Sequence, residues 1–302
     1  DIPQLDQDHK GAIPKLNVSV KMSALYSQVN DKAWAETKNI LKERLRPIFQ
    51  AGMKNGVFVN LDMENYGVKH LTLEVFKELI NEADFKTYPY FGCVIQAYLR
   101  DSYSDCQNLI DFAKARGTPF TVRLVKGAYW DYETIEAQQK RWPIPVYTNK
   151  QESDANFEAC TKLLYDHHKY IGITIGSHNV RSIAHALVYA QKIGLPLAAV
   201  EVQMLFGMAE PIKKALIEMG IRVREYAPVG ELLPGMAYLV RRLLENTSNE
   251  SFLRSKFVEG STSEALLKDP GQNLRPSSAE LRWEDRFYNE PPKDWAVEAN
   301  RL

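Results

Sequence analysis

Most of the sequence alternates short β-like runs with longer segments of helical period, and this alternation limits the possible folds more than any other feature. The short runs are Leu16–Met22, Val57–Asp62, Gly92–Tyr98, Phe120–Gly127, Ile171–Ser177, Leu197–Met204 and Ile221–Tyr226. Between them lie helical patterns at Trp34–Phe49, Leu73–Glu82, Cys106–Ala115, Ala155–His168, Ser182–Lys192 and Glu210–Met219. Strands alternating with helices predict a parallel sheet covered by helices. Seven such units favour a barrel over an open doubly wound sheet, and no GxGxxG follows the first run, which counts against a dinucleotide fold. A chain of 302 residues, 45% of them hydrophobic, suits one large domain of this kind.

Strands of a parallel sheet buried on both faces should be almost continuously apolar. Here polar residues recur at or near the strand ends: Lys21, Asn60 and Asp62, Gln96, Arg123, Ser177 and His178, Glu201 and Gln203, Glu225 and Tyr226. Leaving such a group buried and unpaired costs on the order of 1–3 kcal/mol. A barrel removes the difficulty, because its active site forms where the C-terminal ends of the strands converge.

After Tyr226 the pattern changes. Ala227-Pro228-Val229-Gly230 reads as a turn, and Pro234-Gly235 leads into a helix running to about Glu245. Tyr238, Arg241, Arg242 and Glu245 share one face of it, with Met236, Leu239, Val240 and Leu243 opposite. The polar face suits a solvated salt-bridged surface, since Arg241 and Glu245 are spaced i,i+4. That reading is favoured for an isolated helix, while adjacent arginines beside an aromatic also suit a clamp that binds a carboxylate bidentately. From Asp269 onward Pro, polar and charged residues dominate, so 1–260 reads as the barrel and 261–302 as an extended tail or linker.

Thirty-eight basic residues balance 38 acidic ones, so no global field draws the chain to nucleic acid. Cys93, Cys106 and Cys160 lack CxxC spacing and read as reduced thiols of an intracellular protein, with no metal site. No run approaches the roughly 18–20 apolar residues of a membrane span, and none resembles a signal peptide. The chain opens on Asp1, which reads as processing or excision from something longer.

Two segments carry a family resemblance. Val122-Arg123-Leu124-Val125-Lys126-Gly127-Ala128-Tyr129-Trp130-Asp131 is one. Tyr226-Ala227-Pro228-Val229-Gly230, followed by Tyr238-Leu239-Val240-Arg241-Arg242-Leu243-Leu244-Glu245-Asn246, is the other. Val18-Ser19-Val20-Lys21-Met22-Ser23, Asn60-Leu61-Asp62 and Ser177-His178-Asn179 fall in the matching order. Over about residues 16–260 the chain resembles the proline dehydrogenase family, and within it the module of the bifunctional proline utilisation A proteins.

The resemblance implies a distorted (β/α)₈ barrel with the last helix over its top, non-covalent FAD, and oxidation of L-proline to 1-pyrroline-5-carboxylate. By matching position, Gln96, Arg123, Val125, Gly127, Ala128 and Trp130 contact the flavin. Thr148, Lys150, His178, Asn179, Gln203 and Glu245 add contacts along it. A cation such as Arg123 would favour the negative charge of reduced flavin, and small residues at 127 and 128 would let backbone approach a flat ring. Lys21, Arg241 and Arg242 are implied to hold the substrate carboxylate, with Asp62, Tyr129, Leu205, Tyr226 and Tyr238 around the ring. Three cations at one carboxylate call for an acidic partner in the empty site. Membrane quinone is the implied electron acceptor, a pyrroline-5-carboxylate (glutamate-semialdehyde) dehydrogenase domain the implied neighbour in the parent protein. The implied location is the cytoplasm, with peripheral contact at the inner membrane left open. One departure stands out: the family's first strand, ending in Leu-Gly-Glu, has no counterpart in Asp1–Lys15. Three other readings compete: a folate-type flavin barrel, a Schiff-base aldolase using Lys21 or Lys126, and a silent scaffold.

Overall fold

Residues on a strand alternate between two faces, so each strand divides its side chains between two environments. The computed structural model describes residues 5–196, 199–231, 233, 235, 236, 238–240, 262–272, 274, 276–280 and 287–301. A short antiparallel hairpin, β1 (Asp6–Asp8) and β2 (Gly11–Ile13), comes first. One seven-stranded parallel sheet follows, its strands adjacent in sequence order. They are β3 (Asn17–Val20), β4 (Phe58–Leu61), β5 (Phe91–Gln96), β6 (Thr121–Val125), β7 (Gly172–Gly176), β8 (Glu201–Leu205) and β9 (Arg222–Tyr226).

Among the described residues, eight α-helices lie between these strands. They are α1 (Met22–Leu25), α2 (Trp34–Lys54), α3 (Tyr66–Ile80), α4 (Ser102–Arg116), α5 (Trp130–Lys140), α6 (Lys150–Asp166), α7 (Val180–Lys192) and α8 (Glu210–Glu218). The outward residues of the central strands, such as Leu61, Cys93, Leu124 and Ile175, are fully buried in the core beneath these helices. On α2, Leu41, Leu45 and Phe49 repeat at i+4 and are equally inaccessible, with Phe49 stacked on Phe91 of β5 at 4.5 Å. Burying such side chains contributes about 1.5–3 kcal/mol each.

The inward residues tell a different story. Register places Val94, Arg123, Thr174 and Glu201 side by side, and Gln96, Val125, Gly176 and Gln203 one layer further along. The polar residues expected at or near the strand ends therefore share the inner face, with Val94, Val125 and Gly176 among them. Arg123 on β6 bonds Asp62 beyond β4, Ser19 on β3 and Gln203 on β8. In a flat sheet β6 and β3 would stand roughly 14 Å apart, three strand spacings, beyond the reach of one guanidinium. The sheet must curl, and it does so into an incomplete barrel. Among the described residues β9 and β3 do not pair, so the curl has an open seam. The hairpin spans that seam at the N-terminal end, where Arg222 donates to both Asp8 oxygens at 2.7 and 2.9 Å.

Several element boundaries differ from the sequence reading. Helix α3 begins at Tyr66 rather than Leu73, because buried Lys69 and Thr72 interrupt the apolar pattern that would reveal its first turns. The strand expected from Leu197 starts at Glu201. The C-terminal segment lies against the barrel's loops and helices. Ser277 accepts two bonds from Arg100, the Ala279 carbonyl accepts from the Ile144 amide, and Ala296 is buried. Near the end of the chain Arg301 lies 3.6 Å over the Trp34 ring.

Candidate active site

The C-terminal ends of the strands carry one continuous hydrogen-bonded group. Its centre is Arg123, 8% exposed, which donates Nε to Gln203 at 2.5 Å, Nη1 to Asp62 at 2.7 Å and Nη2 to Ser19 at 3.0 Å. The other Asp62 oxygen accepts the Tyr226 hydroxyl at 2.7 Å, and the Arg123 guanidinium lies 5.4 Å from the Tyr226 ring centre. Burial, and then the Asp62 charge, push the Tyr226 phenol well above the ordinary tyrosine value, so it stands as a neutral donor. Gln203 passes its amide hydrogens on to Glu201 at 2.7 Å, and Glu201 also binds Arg224. Tyr238, among the helical residues 238–240, stacks on Tyr226 at 6.3 Å. Residues of four other strands or strand ends thus converge on the guanidinium that β6 carries.

The remaining predicted residues surround this group. Gln96, buried at the end of β5, donates to the Glu64 carbonyl at 2.9 Å. His178 accepts the Leu205 amide at 3.0 Å through Nε2, tying the end of β7 to that of β8. Asn179 caps α7, accepting the Ser182 amide at 3.1 Å. Tyr129 is the N-cap of α5, and Trp130 opens that helix half-exposed with its indole N–H on the Tyr147 carbonyl at 2.9 Å. The Thr148 amide reaches Ser277 at 3.4 Å, and Lys150 pairs with Asp154 at 2.6 Å. Lys21 is the N-cap of α1 and has no ion pair among the described residues. Arg241, Arg242 and Glu245 lie outside the described residues.

Two expectations need adjusting. Arg123 is not a free cation, since Asp62 neutralises it, so its electrostatic pull on a bound ring is smaller than a lone guanidinium would give. Gly127 has φ of 145° and a Cβ there would run into the Tyr98 ring, so a protein contact already accounts for its small size. Lys126 is ion-paired with Asp154, and burial lowers its pKa.

Sequence reasoning missed Ser19, Glu64 and Glu133. Ser19 could have been found, because it lies two residues before Lys21 and so shares its face. Glu133 on α5 is buried and accepts the Tyr66 amide at 2.6 Å, 67 residues away, and nothing local signals that contact. Burial pushes its carboxyl up to about 7 from an ordinary 4.5. A carboxyl raised on folding favours the folded state while protonated. Its contribution is whole below about pH 4.5 and is lost as pH rises toward 7. Glu133→Gln is therefore expected to raise Tm above wild type at pH 8 and to match it near pH 4. An equal shift at both pH values would sink this account.

A family model described as proline dehydrogenase matches residues 2–255. The chain belongs to the proline dehydrogenase family. It is 32% identical over 260 residues to the bifunctional protein PutA of Escherichia coli (strain K12), covering 84% of this chain and 20% of that protein. Proline dehydrogenase of Deinococcus radiodurans is 28% identical over 261 residues, covering 86% of this chain and 75% of that protein. A crystal structure of proline utilization A from Bdellovibrio bacteriovorus, inactivated by N-propargylglycine, matches with a TM-score of 0.95 and 64% identity. That match covers 100% of this chain and 32% of the other. The chain thus spans about a fifth of the bifunctional relative from Escherichia coli and about a third of the one from Bdellovibrio. Family and fold agree: the curled sheet and its helices are the barrel-like α/β architecture of these relatives.

Proposed function

We propose that this chain oxidises L-proline to 1-pyrroline-5-carboxylate, with FAD held at the C-terminal ends of its strands. The observation that carries the reading is the state of Arg123. A guanidinium has five N–H donors, and the protein engages one on each of its three nitrogens. Among the described residues two donors remain on this buried group, in a chain that belongs to the proline dehydrogenase family. Buried donors without partners are costly, and an electron-rich ring would satisfy them. The polar side chains around it, two carboxamides, an imidazole and a half-exposed indole, suit a polar planar ring.

When bound, FAD supplies the acceptor for a hydride equivalent from proline C5 at its N5. Gln96, Arg123, Val125, Gly127, Ala128, Trp130, His178 and Gln203 would hold it, with Thr148, Lys150, Asn179 and Glu245 further along. The protein's own work is orientation, pinning the substrate carboxylate so that C5 faces the acceptor. Lys21, Arg241 and Arg242 would do the pinning through charge-assisted hydrogen bonds, while Asp62, Tyr129, Leu205, Tyr226 and Tyr238 wall the pocket. Quinone as the final acceptor, a fused pyrroline-5-carboxylate dehydrogenase domain and a cytoplasmic setting belong to the same proposal. The division into a barrel through residue 260 and a following segment belongs to it too. No helix among the described residues is long and apolar enough to cross a membrane.

The test is an absorbance titration of the purified chain. Added FAD should be retained, and L-proline should bleach its band near roughly 450 nm, where flavins absorb. Failure to take up FAD would remove the cofactor from the proposal. Retained FAD that proline leaves unbleached would remove the substrate.

A further inference from the structure

We propose that Glu64 is a positioning residue for the substrate carboxylate, fixing the corner between β3 and α1 on which Lys21 stands. The inference rests on the functional reading above. Glu64 accepts the Ser23 amide at 2.9 Å through one oxygen and the Ser23 hydroxyl at 2.5 Å through the other. Ser23 is two residues from Lys21, in a helix of four residues that has no side-chain cap of its own. So short a helix cannot hold itself, because nucleation fixes several residues for a single hydrogen bond. The Lys21 ammonium is carried on a flexible four-carbon stem and has no ion pair among the described residues. Its average position therefore follows the backbone corner, and the corner follows Glu64.

Glu64 is itself anchored. Its carbonyl accepts from buried Gln96 at 2.9 Å, the Asp62 amide donates to Val20 of β3 at 2.9 Å, and the Tyr66 amide donates to Glu133. The loop from Asp62 to Tyr66 is thus tied to β3, β5 and α5, and the Glu64 carboxylate extends that framework to the Lys21 corner. Glu64 is half-buried, so its removal leaves no fully buried charge behind.

The experiment uses the FAD-loaded chain and compares wild type, Glu64→Ala and Glu64→Gln. Glu64→Ala should raise KM for L-proline, and Kd for a ring carboxylate lacking the amine, by about five- to tenfold, the scale of a lost cap. FAD affinity should stay unchanged, and kcat should change far less than KM. Glu64→Gln, whose amide oxygen can still accept the Ser23 amide, should recover most of the loss. Wild-type binding with an unaffected Glu64→Ala overturns this proposal alone. A parallel fall in FAD affinity overturns it too, since the effect would then be general loosening. A wild type that binds FAD but neither proline nor the carboxylate overturns the functional reading, and this proposal with it.

Discussion

Asp62→Ala is expected to cost about 3–5 kcal/mol of folding stability, because it strands the Arg123 charge inside the barrel without its counter-ion. The two side chains are 9% and 11% exposed and 2.7 Å apart, so water cannot take over the lost interaction. The same substitution deprives the half-buried Tyr226 hydroxyl of its acceptor, which adds a smaller cost, below the about 1–3 kcal/mol of a fully buried donor. Desolvation opposes any buried ion pair, so removing both charges should be milder than removing one. Asp62→Leu combined with Arg123→Met should therefore be more stable than Asp62→Ala alone. Urea unfolding of the three proteins gives the comparison. A loss below about 1 kcal/mol in Asp62→Ala would mean that the pair is solvated and screened like a surface salt bridge.

Lys69→Ala should be comparably damaging, at a place with no part in the site. Lys69 is 1% exposed and joins α3 to α4 by donating to Asp101 at 2.5 Å and Asp105 at 2.7 Å. Without it two carboxylates face each other, and Asp105 has little access to water. Loss of about 3–5 kcal/mol at pH 7 follows. The pH dependence distinguishes charge from lost packing. Burial already raises the Asp105 pKa even with Lys69 present, and losing the ammonium raises it further. A carboxyl with a raised folded value favours folding when protonated and opposes it as pH climbs through that value. The deficit of Lys69→Ala against wild type should thus shrink on acidification toward about pH 4, near the ordinary aspartate range. A deficit that stays constant with pH would assign the effect to the cavity.

The strands were legible because their outward residues form short apolar runs, and the polar strand ends marked the functional end of the barrel. The sequence reading treated Asn60 with Asp62, and Gln203 with Glu201, as end effects. The structure shows them as samples of a polar inner face, which period two would have exposed had each strand been divided by face. Helix α5 was missed because, of its apolar residues Trp130, Tyr132, Ile135 and Ala137, only Ala137 is buried, so no apolar face marks the helix. The hairpin was missed for the opposite reason: β1 and β2 are short, polar and largely exposed, so no hydrophobic alternation marks them. Glu64 and Glu133 were out of reach altogether. Their partners lie 41 and 67 residues away, and only the folded chain brings them close.

The clasp between Asp8 and Arg222 has a kinetic consequence. Each strand of the sheet pairs with its sequence neighbour, so the barrel can assemble by successive local additions. The clasp instead joins residues 214 apart, and closing so long a loop gains nothing until the strands between are in place. Such a contact is expected to form after the folding transition state. Its energy then acts on the rate of unfolding and leaves the rate of folding nearly untouched. The hairpin thus makes an open-seamed barrel slow to come apart, and resistance to prolonged heat or protease follows from that slowness more than from equilibrium stability.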